Sequence, residues 1–299
     1  MPAMISFADD RRADVRSSVA AHMNRIRGGH PATSAAADAI RGDAADIVKA
    51  AGEFVLDASP SVRHEASKLI ASTGLAERDA TVRRQSVTLL IQATIDAEPL
   101  VWQHACDDLL EFQPTDFDDA AKTAMATMLN GDAPKREIVR LVGVAELRDE
   151  MPRLESLLID ESKFETGAQA GRWYGTVGWA ARLARARMGS DADLRRAIDL
   201  LENESEHVTR VTVLLRDLAY IRRPAAFAHI GKYLDDDAEL PPTKTGVPGT
   251  PYAQYAIDVL AGTVGEFPVA RKYVGAYTND EIAVGRAWMQ RHFPPDGNR

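Results

Sequence analysis

The residue types able to do chemistry are few in this chain, and most of them stand alone. His64-Glu65, within VRHEAS, is an adjacent imidazole–carboxylate pair of the kind that can hold iron when several pairs converge. The other six histidines are followed by Met23, Pro31, Ala105, Val208, Ile230 and Phe293, so no second pair exists to complete such a site. Cys106 is the single cysteine, which excludes an internal disulfide. It lies beside Asp107 and Asp108, whose negative charge should raise its pKa and blunt it as a nucleophile. We read it as a buried or half-buried helix residue. His-Glu-x-x-His, a cysteine pair and a glycine-rich loop ending in Lys-Ser/Thr are all missing from the sequence. No catalytic residue, metal ligand or cofactor is expected.

Two segments are less ordinary. In GAQAGRWYGTVGWAARLAR, Gly167, Gly171 and Gly175 recur every four residues and would share one face of a helix spanning 167–188. Each glycine costs a helix about 1 kcal/mol relative to alanine, so a close approach by a backbone or a ligand would have to repay it. Trp173, Tyr174 and Trp179 flank that face, with Arg172 and Arg182 nearby. Tight helix packing is the plainer reading; a groove for a ligand or a partner is the functional one.

The second segment is acidic. The formal net charge is −8, and residues 96–132 hold nine acids (Asp96, Glu98, Asp107, Asp108, Glu111, Asp116, Asp118, Asp119 and Asp132) against Lys122 alone. The rest of the chain is balanced. Thr115 and the aspartates after it suit a helix start, where negative charge meets the positive end of the dipole. That accounts for Asp116, Asp118 and Asp119 but leaves Asp107, Asp108 and Glu111 as a solvated face or a docking site for a basic partner.

The elements that would position these residues are helices. Hydrophobic content of 45% with 27% charged residues fits a folded chain, and apolar residues recur at spacings of three and four from end to end. Ser59-Pro60 reads as an N-cap followed by proline in the first turn, with Val62, Ala66, Leu69 and Ile70 as the buried stripe and Gly74 as a left-handed end. Further helices are expected at 9–27, 43–57, from Asp79, and at 99–111, 115–130, 135–147, 150–160, 191–202, 207–221, 224–234, 252–261 and 279–292. The one long break, 235–251, is rich in proline and glycine and reads either as a linker or as an ordered functional loop. No run of about 18 apolar residues occurs, and no signal peptide is visible at residues 1–16. The default expectation is a cytoplasmic protein, although a trimmed leader would look the same.

Several hairpins line up with one another. LVGVAELRDEMPRLESLLID (141–160) and LAGTVGEFPVARKYVGAYTND (260–280) share Leu-x-Gly, then Pro152 or Pro268 near a second helix, then aspartate. Segments 218–236 and 183–201 fit the same outline, while SPSVRHEASKLIAS and DATVRRQSVTLLIQA each carry Val-Arg, at Val62-Arg63 and Val82-Arg83. These segments resemble HEAT repeats, and in particular the bacterial phycobilisome-lyase-like branch, most specifically from Lys135 to Tyr277. The resemblance implies an all-α superhelix, a solenoid of stacked antiparallel hairpins through residues 1–299. Its repeats are divergent over 1–132 and clearer over 133–299, with the 235–251 loop inserted.

The family mostly binds other macromolecules on its curved surface. A non-enzymatic interaction scaffold is therefore expected, with Asp107, Asp108, Asp116, Asp118, Asp119, Trp173, Tyr174 and Arg182 as candidate partner-binding residues. Its partner is expected to be a protein with a basic surface, and its oligomeric state is open. Some HEAT-like proteins are DNA glycosylases with tryptophans and a carboxylate in a basic groove, which makes a nucleic-acid-base or small-ligand enzyme the alternative. Residues 135–223 hold 16 bases against 15 acids, too balanced for phosphate binding, so nucleic acid is not the expected partner.

Overall fold

A computed structural model describes residues 44–159, 173–236, 238–241 and 249–294. The described chain is mostly helical, as expected, and divides into two compact units, residues 1–153 and 154–299. Among the described residues no helix is long and apolar enough to cross a membrane. The helix expected at 9–27 lies outside the described residues.

In the first unit, α1 (Ala44–Phe54), α2 (Pro60–Ala76), α3 (Ala80–Ala93), α4 (Pro99–Leu109), α5 (Asp119–Leu129) and α6 (Arg136–Val144) follow one another; the unit boundary falls within α7 (Met151–Ser156). The consecutive pairs α1–α2, α2–α3, α3–α4 and α5–α6 pack against each other. In addition α2 touches α4 and α4 touches α6, while α1 touches α3 and α3 touches α5. Even-numbered and odd-numbered helices thus form two layers. The reason is the apolar stripe: Val62, Ala66, Leu69 and Ile70 of α2, at helical spacing, are buried between them as the sequence predicts. Burying each large aliphatic side chain there contributes roughly 1.5–3 kcal/mol.

Caps set the helix starts. Asp79 Oδ1 accepts from Thr81 N at 2.7 Å and Asp118 Oδ1 from Ala121 N at 2.8 Å. Two expectations fail here. The helix expected at 115–130 is split into a 3₁₀ turn, Pro114–Asp116, and α5, because Asp118 caps a fresh start. Gly74 is not a left-handed end but an interior residue of α2. A Cβ on it would lie 2.6 Å from the Cβ of Ser86, so its bare backbone is what lets α3 come close.

The second unit contains α8 (Val177–Arg187) and α9 (Asp191–Asn203). Next comes a continuous helix, α10, made of His207–Thr209, the π-helical turn Arg210–Leu214 and Leu215–Tyr220. After α11 (Pro224–Lys232) a short ladder pairs β1 (Glu239–Leu240) antiparallel with β2 (Thr250–Pro251), followed by α12 (Tyr252–Thr263) and α13 (Asn279–His292). The 235–251 break therefore has its two ends hydrogen-bonded together. The second helix expected near Pro268 does not form. Between α12 and α13 the backbone is instead held by the buried amide of Gln254, which accepts from Gly275 N and Tyr277 N and donates to Tyr277 O.

Candidate functional site

The acids of 96–132 separate into two groups once the helices are packed. Arg63 of α2 forks onto Asp96, with Nε and Nη2 donating at 2.6 and 2.9 Å; Arg83 of α3 forks onto Asp116 at 2.9 and 2.5 Å. Both pairs span 33 residues. Asp116, expected on a docking face, is 4% exposed and also accepts from Gln113 N. It ties one hairpin to the next rather than facing a partner. The Arg63 guanidinium holds the Asp96 carboxyl below its ordinary range. Asp118 is spent on its cap, whereas Asp107, Glu111, Asp119 and Asp132 are exposed. With the two arginines that reach in from outside, the segment's excess of eight negative charges falls to six.

Of the exposed acids, Asp107 lies on α4 and Glu111 just after it, whereas Asp119 starts α5 and Asp132 follows it; α4 itself packs between α2 and α6. Asp107 and Asp108 follow Cys106 there, one solvent-facing and one half-buried. Burial pushes the Asp108 carboxyl up to about 7; neighbouring Asp107 adds repulsion, Lys68 opposes it, and Glu111 adds to it. Its Oδ2 is buried with no hydrogen-bond partner. The half-buried His64 of α2 lies with its ring 4.6 Å from that of His104, and its buried Nδ1 also has no partner. Burial, then the charge of His104, lowers the His64 pKa, so the ring is neutral near pH 7. Chemically this is a face whose charge changes near neutrality, since Asp108 exchanges its proton there. Cys106 is fully buried, as read, and its thiol is pushed up to about 12. The main cause is desolvation and then Glu137 of α6, with Asp107 a lesser one, not the adjacent aspartates first. Among the described residues no group of three or more His, Cys, Asp or Glu is placed to hold a metal ion.

The aromatic candidates lie in the second unit and do not form one glycine-faced helix. Trp173, Tyr174 and Gly175 make a 3₁₀ turn, and α8 starts only at Val177, because Thr176 Oγ1 caps it by accepting from Trp179 N at 3.1 Å. Gly167, Gly171 and Arg172 lie outside the described residues. Gly175 has open space around its Cα; the glycine that permits close approach is Gly178, where a Cβ would meet Ile159 at 2.6 Å. Trp173 is buried, edge-on to Trp179 at 4.7 Å, and Tyr174 is half-buried against Trp173 at 5.8 Å. The indole N–H of Trp179 donates to Asp217 at 2.7 Å with both residues buried, so this tryptophan–carboxylate pair is an internal bond of α8 to α10. Arg182 donates to Asp193 at 3.0 Å, sharing that buried carboxylate with Arg185 and Ser190.

One signal in the sequence went unread. DASPSV (57–62) and DAEPLV (96–101) are the same turn, repeated 39 residues on, and Asp132-Ala133-Pro134 echoes it. Asp57 and Asp96 each fold back to accept from the second following N–H, at 2.7 and 2.8 Å. Where α4 has Trp102 at the place of Arg63, Lys135 caps the ring at 3.9 Å, a cation–π contact in the role of the ion pair. Compared with known protein families and with curated proteins, the chain matches no family model and no curated sequence.

Proposed function

We propose that this chain is a non-enzymatic helical-repeat scaffold, a HEAT-like superhelix, that docks a protein with a basic surface on the exposed acids of residues 107–132. The recurrence of one Arg–Asp fork at one 33-residue spacing in successive helices supports tandem repetition. Repetition of this kind stacks hairpins that cannot bury both apolar stripes alone, and it yields extended surfaces suited to macromolecular partners. The observation that carries the docking reading is the remaining exposed charge. After Asp96 and Asp116 are neutralised internally, Asp107, Glu111, Asp119 and Asp132 still face solvent with Lys122 the sole base in their segment. Exposed carboxylates of one sign steer a basic partner and quicken association.

The test compares wild type with Asp107→Asn/Glu111→Gln/Asp119→Asn in quantitative capture from the native host's lysate at low and high salt. A stoichiometric protein retained by wild type, released by salt and lost in the variant supports the proposal. Capture of no protein, or of nucleic acid instead, overturns it.

A further inference from the structure

Between α9, α11 and the end of α13 the second unit has a pocket of about 550 Å³ that is open to solvent on one side. Its apolar wall includes Ala228 and Phe293, and four polar side chains reach it: Glu202, His229, Lys232 and His292. That size is in the range of pockets that take small organic molecules.

The polar groups are unequal. His229 is 5% exposed, and its Nε2 is enclosed in protein with no hydrogen-bond partner. Its Nδ1 lies 3.5 Å from Glu202 Oε1, which places the ring proton on Nδ1, toward the carboxylate, and leaves Nε2 as a bare lone pair. Glu202 and Lys232 are half exposed and stand 4.0 Å apart, a loose pairing that solvent already weakens. His292 donates Nδ1–H to Trp288 O at 2.9 Å and stacks on that indole, which fixes its ring at the end of α13. One lysine and two imidazoles thus stand around one carboxylate at a pocket whose body is apolar.

We infer that this cavity binds a small molecule with an apolar body and a single carboxylate, its head taken by Lys232 and the Nδ1–H of His229 in place of Glu202. Glu202 is the ligand's internal competitor. The inference is independent of the acidic docking region, because it concerns the second unit alone.

The experiment is isothermal titration calorimetry of the full chain with decanoate and, separately, 2-naphthoate, to distinguish chain-like from ring-like bodies. One saturable site is expected for at least one of them, with 1-decanol binding more weakly. Lys232→Gln should weaken the carboxylate by about fivefold and Glu202→Gln should tighten it by a similar factor, the scale of a partly exposed charge pair. Ala228→Trp, filling the cavity, should abolish binding, and circular dichroism checks that it remains folded. Because Lys232 and Glu202 are half exposed, their variants keep the test decisive even if Ala228→Trp misfolds. The inference is overturned by no saturable binding of either acid, or by Lys232→Gln and Glu202→Gln moving the affinity in the same direction.

Discussion

Asp108 and His229 give the two units opposite responses to acid, and Asp108→Asn isolates one of them. The Asp108 carboxyl has an ordinary value of 3.8 and stands at about 7 in the fold. Between those values the folded chain holds a proton that the unfolded chain has lost, so stability is greatest at low pH and falls as pH rises. The slope is about 1.4 kcal/mol per pH unit and the total about 4 kcal/mol. His229 runs the other way. Burial and the charge of Lys232 take it from 6.5 to about 4, with Glu202 opposing, so the unfolded chain is the one that binds the extra proton. Its contribution is lost as pH falls from 6.5 to 4, about 3 kcal/mol in all.

The two slopes cancel between pH 4 and 6.5 if the chain unfolds in one transition. Urea unfolding of wild type and Asp108→Asn, from pH 4.5 to 8.5, should show the variant gaining on wild type as pH rises to about 7 and level thereafter. Asparagine also places an N–H₂ where Oδ2 has no partner, which shifts the whole curve down by about 1–3 kcal/mol but leaves its slope. His229→Gln should give the mirror image, its advantage largest near pH 4 and gone by 6.5. A difference between Asp108→Asn and wild type that is flat with pH, or that shrinks as pH rises, would refute the assignment of a raised pKa to this carboxyl.

Two further outcomes rest on packing. Arg83→Ala leaves the buried Asp116 carboxylate without its fork and should cost about 3 kcal/mol in the same urea assay, while Asp119→Asn, at an exposed first-turn position, should cost under about 1 kcal/mol. If the two losses were equal, the distinction between internal and exposed acids would be wrong. Gly74→Ala favours the helix by propensity yet drives a methyl to within 2.6 Å of Ser86, so a net loss of about 1–3 kcal/mol is expected; a raised Tm would show that α2 and α3 can separate freely.

Helices with a local start signal were legible in advance. Pro60 in the first turn of α2 and Asp79 at the start of α3 each act within one turn of chain, so the residues alone specify them. The same holds for the buried stripe of α2 and for the raised thiol of Cys106, which Asp107 raises as expected but burial and Glu137 raise more. The failures share a physical origin. The unbroken helix expected over 167–188 was an extrapolation from glycine spacing, whereas Thr176 starts α8 afresh. The helix expected near Pro268 gave way to a loop whose backbone bonds are made by Gln254, a residue some twenty positions away.

By itself the sequence determined that the chain is helical, where most turns fall and that its charge excess sits in residues 96–132. Only tertiary structure decided which of those acids are internal. Asp116 and Asp119 are three residues apart and look alike in composition. One meets an arginine 33 residues upstream because α3 and α5 pack side by side; the other meets water. Tertiary structure likewise brought His229, Lys232 and His292 to one pocket from helices separated by a strand pair and the whole of α12. Propensity and capping act over one or two turns, but a charge pair or a cavity exists only where packing brings distant helices together, and no local pattern records that contact.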